Sequence, residues 1–279
     1  MGRPGLALLA LAAGIVLSPV ARGQAPAPVP PPPPLVEGLP LIGEEAEAFL
    51  RTAHVVARTP IGKGITRPTR LTLTDGSKTH RAVWKTINER RMGLQRLDRG
   101  GLEFDFRDSW KHDVAAYELD KLLGLGLVPP TVERRIDGRR GAVQLWIEGA
   151  ITELDRRRGH LQPPDPQAWS QRRAAVALLR ELAYDTDYNV QNTLYGPGFR
   201  VYAIDFSRAF RISPRLLSAE RLSRLSPETV ERLRRLDRAT LEARLSPWLD
   251  GLQLAALLAR RDAIVALADA RPAAAAPLP

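Results

Sequence analysis

The segment Ala183–Phe210 reads AYDTDYNVQNTLYGPGFRVYAIDFSRAF and places acidic and amide side chains between a helical pattern and a strand pattern. Apolar residues at helical spacing in Gln171–Ala183 predict a helix that ends where these polar side chains begin. The turn Gly196–Gly198 and the alternation in Phe199–Ile204 predict a hairpin with a buried strand. The polar residues brought to the two ends of this hairpin are Asp185, Asp187, Asn189, Asn192 and Asp205.

The spacing of three of these residues suits phosphoryl transfer. Asn192 lies five residues after Asp187, and Asp205 lies eighteen residues after Asp187. Phosphoryl transfer uses a carboxylate to orient or deprotonate the acceptor hydroxyl, and an amide oxygen and a second carboxylate to hold divalent ions. We therefore interpret Asp187 as the base or orienting residue and Asn192 and Asp205 as metal ligands. Asn189 and Asp185 are second-rank supporting residues. Alternatively, these residues form an ordinary loop, because Asp and Asn accept local backbone hydrogen bonds.

The two motifs resemble those of the atypical kinases, which share D-x-x-x-x-N followed by I-D-F or I-D-H. The matching segments in this chain are Asp187–Asn192, DYNVQN, and Ile204–Phe206, IDF. Phosphoinositide kinases, HipA-type kinases and secreted kinases of the spore-coat and Golgi kinds carry this pattern. The resemblance implies an α+β, two-lobed protein-kinase-like fold with a small strand-rich N-lobe and a helical C-lobe. Ser207 departs from the glycine that typical protein kinases have at this position.

Strand patterns upstream are typical of the nucleotide-binding lobe of such a fold. His54–Thr59 and Thr69–Thr74 flank a glycine turn, and Arg81–Ile87 returns as a third strand. In the resembling fold this order builds a loop over the nucleotide phosphates and brings a lysine to them. An ordinary hairpin turn and a solvent-facing lysine are the alternatives. The implied nucleotide-binding residues are Gly62, Lys63, Gly64 and Lys85, with Lys85 also acting as the phosphate clamp in catalysis.

A strong helical pattern begins at Ser109 and ends at the glycines of Gly124–Gly126. In a kinase-like lobe this helix provides an acid that pairs with the strand lysine and fixes it toward the phosphates. Asp113 is the first choice for this pairing and Glu118 is the second. An exposed helix surface is the alternative for both acids.

The hairpin Thr131–Ile136 and Ala142–Ile147 leads into the passage between the lobes of the resembling fold. There the resemblance implies that backbone groups take the adenine edge and an apolar side chain covers its face. The candidate adenine-binding residues are Gln144, Trp146 and Ile147. Core residues of an edge strand are the alternative.

Two further segments show no regular strand or helix pattern. Met92–Phe106 has no clear periodicity and is interpreted as a flexible or substrate-facing insertion. Thr152–Pro166 is interpreted as a polar loop.

The N-terminus has the pattern of a secretory signal peptide covering residues 1–23. Arg3 precedes an apolar run, Leu6–Leu17, and the small residues near Gly23 favour cleavage before Gln24. The run is too short to span a bilayer comfortably, although an uncleaved membrane anchor is the alternative. We therefore expect an exported protein, periplasmic or extracellular. The chain contains no cysteine, so neither a disulfide nor a lipid-carrying cysteine is available.

Composition divides the remaining chain of this 279-residue protein. Residues 24–35 form a Pro/Ala-rich linker, 36–270 a kinase-like domain, and 271–279 a disordered tail. Within the domain we expect an N-lobe at about 36–147 and a C-lobe at about 148–270. The formal net charge of +10 favours anionic partners such as a cell-envelope surface. No specific nucleic-acid motif is present.

Together these patterns predict a secreted atypical kinase that transfers the ATP γ-phosphoryl group to a hydroxyl of a protein, lipid or sugar, with Mg²⁺ or Mn²⁺. Two alternatives remain open. A pseudokinase would bind nucleotide with metal and transfer nothing. A basic module for anionic cell-envelope polymers would bind in a salt-sensitive way that survives the loss of Asp205.

Overall fold

A computed structural model of the protein describes residues 1–2, 38–62, 68–96, 102–187, 189–222 and 225–270. The predicted cleavage segment and linker, Lys63, Gly64 and the C-terminal tail lie outside these ranges, so what was predicted for them stays a prediction. All described strands and helices belong to one compact unit of the chain. Among the described helices, none combines the length and the hydropathy that a membrane span requires.

The described chain runs from a short helix through a strand-rich part to a mainly helical part. The strands are β1 His54–Pro60, β2 Thr69–Thr74, β3 Thr79–Lys85, β4 Asn88–Arg96, β5 Leu102–Ser109, β6 Thr131–Ile136, β7 Arg139–Leu145, β8 Ile151–Thr152, β9 Thr193–Tyr195 and β10 Val201–Ala203. The helices are α1 Gly43–Thr52, α2 Trp110–Leu123, α3 Glu153–Arg158, α4 Pro166–Ala183, α5 Pro227–Arg234, α6 Arg238–Leu245 and α7 Gly251–Asp269.

The strand-rich part is built on a five-stranded antiparallel sheet in the order β1-β2-β3-β7-β6. Alternating side chains such as Leu71 and Ala82 point to one face of this sheet and are buried in a core that also contains Leu50 of α1. β7 lies close against β3 at Gly141, where a Cβ atom would be 2.4 Å from the carbonyl oxygen of Lys85. Glycine is therefore required beside the strand that ends in the predicted lysine.

The segment between β3 and α2 is a separate hairpin of β4 and β5. It corresponds to the predicted insertion Met92–Phe106, whose lack of periodicity did not indicate strands. A bulge between Arg91 and Leu94, with Gly93 at a φ of +80°, shifts the alternation of β4. Large apolar side chains also lie on the exposed face of the hairpin. The two strands therefore pair on both sides of the bulge although the sequence pattern of a half-buried strand is absent.

The helix α2 has the boundaries that its sequence predicts. The Ser109 hydroxyl accepts a hydrogen bond from the Lys111 N–H, and Gly124 ends the helix at a φ of +61°. Nearly all of α2 is buried, including Val114 and Leu119. A helix covered on several sides can link the sheet to the helical part, and its acidic residues then need partners.

The helical part packs α4, α5, α6 and α7 around an apolar core, beside the small sheet β10-β9-β8. Leu178 of α4 and Leu257 of α7 are fully buried in this core. Arg260 of α7 is also fully buried, and its guanidinium donates to the carbonyl oxygens of Leu182 at 2.8 Å and Arg211 at 3.1 Å. This arginine thereby joins the end of α4 to the chain that follows Asp205.

The predicted polar loop Thr152–Pro166 is instead partly helical, and the correction is explained by capping. Thr152 and Asp155 form a capping box that starts α3. Arg156 and Arg157 each donate to the Glu153 carboxylate at 2.7 Å. These two arginines therefore stabilise a short helix of their own segment.

Candidate active site

Lys85, at the end of β3, is buried between two carboxylates. Its ammonium lies 2.9 Å from Asp113 Oδ1 and 2.8 Å from Asp205 Oδ1. Asp113 belongs to the first turn of α2 and Asp205 follows β10, so three distant parts of the sequence converge here. Asp113, the first choice from the sequence, makes the lysine contact, whereas Glu118 lies 3.4 Å from Lys121.

The charges of this cluster shift one another's titration. Burial lowers the pKa of the Lys85 ammonium, but Asp113 and Asp205 together raise that pKa above its ordinary value. Burial raises the pKa of Asp113 to about 6, although Lys85 acts to lower it. The Lys85 charge holds the pKa of Asp205 below its ordinary value. One ammonium therefore faces two carboxylates at neutral pH, which leaves negative charge available to a cation.

Asp113 also fixes the backbone beside Asp205. Its Oδ1 accepts a hydrogen bond of 3.0 Å from the Phe206 N–H, and its Oδ2 is buried without a hydrogen-bond partner among the described residues. Asp205 has a φ of +61°, a left-handed conformation that aspartate adopts more readily than most residues. Phe206 is fully buried. The buried Asp113 carboxylate thus holds the backbone directly after Asp205.

Arg180 of α4 holds the loop that carries the predicted catalytic residues. Its guanidinium forms a buried ion pair with Asp185 and donates to the carbonyl oxygens of Asn192 at 2.7 Å and Ile204 at 3.2 Å. The Asp185 carboxylate accepts a hydrogen bond of 3.0 Å from the Asp187 N–H. Asp185 is therefore a structural partner of the loop.

Asp187 and Asn192 face each other across one turn of this loop. The Asn192 side-chain amide donates to the Asp187 carbonyl oxygen at 3.2 Å, which leaves the amide oxygen for another partner. The Asn189 side chain accepts a hydrogen bond of 2.9 Å from the Gln191 N–H. Asp187 is half-buried, and in the described part of the chain its carboxylate has no hydrogen-bond partner. The role of Asp187 as the base or orienting residue stays a prediction.

Asn192 and Asp205 offer the amide and carboxylate oxygens that are predicted to hold a divalent ion. The two residues lie on adjacent backbone, since the Ile204 N–H donates to the Asn192 carbonyl oxygen at 3.0 Å. Lys85 occupies one Asp205 oxygen, and the Asp205 side chain is 40% exposed. Carboxylate and amide oxygens are the ligands that Mg²⁺ prefers, and it usually keeps phosphate and water ligands as well. Within the described residues, no group of three or more His, Cys, Asp or Glu side chains is arranged to hold a metal.

Asp108 is a site residue that the sequence did not indicate. Its carboxylate contacts the Ser207 side chain and lies within electrostatic range of Asp205 and Lys85, and burial raises its pKa. Its Oδ1 is buried and finds no hydrogen-bond partner in the described ranges. The Ser207 side chain also contacts Asp205. The only signal for Asp108 is its place directly before the helix cap, in a segment without periodicity.

The predicted adenine-binding residues lie at and after the end of β7. Gln144 is buried and its amide donates to the Thr131 hydroxyl at 2.9 Å, so its side chain is committed to the sheet. Trp146 is half-buried, and the Arg81 guanidinium lies 5.6 Å from its ring centroid. Ile147 is buried. Adenine binding by these three residues stays a prediction.

Of the predicted phosphate-binding residues Gly62, Lys63 and Gly64, the structure describes only Gly62, two residues after the end of β1. A Cβ atom at Gly62 would meet no other atom within 4 Å, so this residue is open to solvent. Phosphate binding by the turn also stays a prediction.

No protein-family model matches the chain, and no curated protein sequence matches it. Several solved structures do match. A structure of hydra Fam20 with sugar has a TM-score of 0.60, with 18% sequence identity over 80% of this chain and 87% of that chain. The Golgi casein kinase with Mn/ADP bound has a TM-score of 0.58, with 16% identity over 80% and 74%. The Helicobacter pylori proinflammatory kinase CtkA has a TM-score of 0.52, with 9% identity over 80% and 99%.

The chain has an atypical-kinase fold. The structural matches show the fold, and at sequence identities this low they do not show the activity. They confirm the predicted α+β, two-lobed kinase-like fold. In this kinase fold Lys85 ends a central strand of the sheet, and α2 supplies its first acid. Asp205 comes from the opposite, helical part and supplies the second acid.

Proposed function

We propose that this protein is an exported atypical kinase that transfers the γ-phosphoryl group of ATP to a hydroxyl. The observation that carries the proposal is the buried Lys85 ammonium, held by Asp113 and Asp205 next to the loop of Asp187 and Asn192. A lysine fixed by two carboxylates loses little side-chain freedom when it binds phosphate. Its charge is then in place before the nucleotide arrives.

Each residue has a role in this mechanism. The Lys85 ammonium binds the α- and β-phosphates of ATP. The amide oxygen of Asn192 and the Asp205 carboxylate would hold Mg²⁺ or Mn²⁺, which would neutralise phosphate charge and align the γ-phosphoryl group when bound. Asp187 accepts a hydrogen bond from the acceptor hydroxyl and takes its proton as the oxygen attacks phosphorus. The bond from the γ-phosphorus to the bridging oxygen breaks, and ADP leaves.

The acceptor we propose is a hydroxyl of a protein, lipid or sugar outside the cytoplasm. Support comes from the signal-peptide pattern of residues 1–23 and from the basic charge. Removal of Arg3 and Arg22 with those residues lowers the formal net charge from +10 to +8, which still favours anionic surroundings. One structural neighbour was solved with sugar and another is a Golgi casein kinase, and both observations support a hydroxyl-bearing acceptor. N-terminal sequencing of the protein from its native cell tests export: we expect it to begin at or near Gln24, and an intact Met1 on cytoplasmic protein contradicts it.

The replacement Asp187→Asn tests the chemistry. A carboxylate that orients a hydroxyl and accepts its proton contributes on the order of 10²–10⁴-fold to the rate and little to ATP binding. We therefore expect Asp187→Asn to lose phosphoryl transfer from γ-labelled ATP and to keep the affinity of the wild type for Mn-ATP. Autophosphorylation and transfer to total envelope extract are measured at saturating Mn-ATP.

Asp262→Asn is the matched control, because this exposed aspartate of α7 lies outside the site. Equal turnover in wild type and Asp187→Asn removes Asp187 from the mechanism. Metal-dependent ATP binding without turnover in the wild type favours the pseudokinase. Binding of an anionic envelope polymer that survives replacement of Asp205 and is lost at high salt favours the basic binding module.

A further inference from the structure

The β4–β5 hairpin carries a group of exposed apolar side chains that the proposed kinase chemistry does not use. Met92, Leu94, Leu102 and Phe104 are 75%, 64%, 66% and 65% exposed, and we call them the apolar patch. Leu94 pairs with Phe104 across the hairpin, and Arg96 pairs with Leu102. The side chains of these two pairs, including that of Arg96, therefore share one face of the hairpin. Met92 lies in the bulge beside Leu94. Contiguous exposed apolar surface of this kind marks an interaction site.

The opposite face of the hairpin is anchored to the body of the protein. The Glu103 carboxylate contacts the guanidinium groups of Arg211 at 2.5 Å and Arg208 at 3.3 Å. Further along β5, the guanidinium groups of Arg208 and Arg211 lie 5.0 and 5.5 Å from the ring centroid of the buried Phe106. The hairpin is thus fixed with its apolar patch turned away, and no part of the described chain covers the patch.

The size and shape of the apolar patch decide between possible partners. Its four side chains expose roughly 500 Å² in total, below the roughly 800 Å² that each partner buries in a stable protein dimer. One face of a two-stranded hairpin also offers no groove for an extended peptide. A lipid bilayer requires neither a complementary surface nor a groove, because apolar side chains enter its interfacial region individually.

The charge around the patch favours an anionic bilayer. Arg96 is exposed on the same face, and the acidic Glu103 belongs to the opposite, anchored face. The chain as a whole carries a formal net charge of +10. Basic residues next to inserted apolar side chains strengthen binding to negatively charged lipid headgroups.

We propose that the apolar patch docks this protein on an anionic phospholipid membrane by inserting its side chains into the interfacial region. The hairpin ends at Ser109, whose N–H donates to the Ser207 carbonyl oxygen at 2.9 Å, two residues after Asp205. The element that binds the membrane is therefore joined directly to the candidate active site. The proposal does not depend on the kinase activity.

The experiment uses the full chain with a fluorescent label at a single cysteine, because the natural sequence contains none. Leu94→Cys carries an environment-sensitive nitrobenzoxadiazole label in the apolar patch. Leu252→Cys is the matched control, since Leu252 is also 64% exposed but lies on α7. Vesicles contain either phosphatidylcholine alone or an equal mixture with phosphatidylglycerol. Circular dichroism verifies that both labelled variants keep the wild-type fold.

We expect the emission of the Leu94→Cys label to rise about two- to threefold and shift to the blue with the anionic vesicles only. Spin-labelled lipid quenches this signal, and the Leu252→Cys label shows neither effect. Adding Phe104→Ser weakens the vesicle affinity of the Leu94→Cys form about tenfold, because one inserted ring is lost. Adding Arg96→Gln to the Leu94→Cys form weakens the vesicle affinity at low salt, and this loss of affinity is smaller at high salt.

The local label separates the apolar patch from any other membrane-binding segment of the chain. If the protein sediments with vesicles while the Leu94→Cys label stays in water, the patch is not the membrane contact and the proposal fails. A blue shift that depends on protein concentration without vesicles identifies self-association instead, and also overturns it. Equal responses to both vesicle types overturn the anionic requirement.

Discussion

Lys85 is the single residue on which the buried charges depend. Its ammonium is the partner of both Asp113 and Asp205, and Asp113 is almost completely buried. We expect Lys85→Met to lower the free energy of unfolding by about 3 kcal/mol, because it leaves a buried carboxylate without its partner. Urea unfolding of the two proteins at pH 7 measures the difference.

The control for this prediction is Lys78→Met, at a lysine that forms an exposed ion pair with Glu45. Exposed pairs contribute about 0–1 kcal/mol, so Lys78→Met changes the stability little. The double variant Lys85→Met with Asp113→Leu removes the stranded charge, and we expect it to recover part of the lost stability. If Lys85→Met is as stable as Lys78→Met, the buried cluster does not have the charges described above.

His112 links two elements, because its ring joins α2 to α7. Its Nδ1 lies 2.8 Å from the Ser207 carbonyl oxygen and must donate to it, and the Gln253 amide then donates to Nε2 over 3.1 Å. The ring is therefore neutral. Burial lowers the pKa of His112 from its ordinary 6.5 to about 3, and the nearby Arg211 and Arg107 act in the same direction. Asp250 acts in the opposite direction.

A depressed histidine pKa makes stability depend on pH in a defined window. Below pH 6.5 the unfolded chain binds a proton at His112 and the folded protein does not, so the stabilisation present above pH 6.5 is lost as the pH falls toward 3. We expect the wild type to lose about 2 kcal/mol more than His112→Asn between pH 6 and pH 4. Urea unfolding at several pH values checks this. Parallel pH profiles of the two proteins contradict a neutral buried ring.

Elements with a regular pattern were predictable from the sequence. The helix α2 and its glycine end follow from the spacing of its apolar residues and from Ser109. The lysine at the end of β3 and the aspartate after β10 follow from strand patterns and from the two motifs around Asp187 and Asp205. Local sequence carries such information because caps, alternation and turns are short-range effects.

Elements held by distant contacts were not predictable in the same way. The β4–β5 hairpin has its apolar residues on the exposed face, and a bulge shifts its alternation. Asp108 enters the site only because this hairpin folds back beside Ser207. Arg180 is one arginine among many in the sequence, and only the fold identifies it as the partner of Asp185. The contacts of Asp108 with Ser207 and of Arg180 with the Ile204 carbonyl oxygen join residues far apart in the chain, so no local pattern records them.

On the scale of the whole molecule, polar contacts join the strand-rich and helical parts at several points. Besides the contact of Lys85 with Asp205, the Arg107 guanidinium lies 2.7 Å from the Asp250 carboxylate. The Trp248 indole N–H donates to Glu133 over 3.2 Å. Because these contacts hold the two parts together, a ligand that binds both Lys85 and Asp205 stabilises the folded chain as a unit.

Asp205→Asn therefore tests how the whole molecule responds to metal and nucleotide. Asparagine tolerates the left-handed backbone at this position, where Asp205 has a φ of +61°, whereas alanine would add strain. We expect Mn-ATP at about 100 times its dissociation constant to raise the melting temperature of the wild type by roughly 5 °C or more. The variant should lose most of this shift, because an amide oxygen is a weaker ligand than a carboxylate for a hard cation. Asp262→Asn, on the exposed face of α7, should respond like the wild type. Equal shifts in all three proteins would place the metal and the nucleotide away from Asp205.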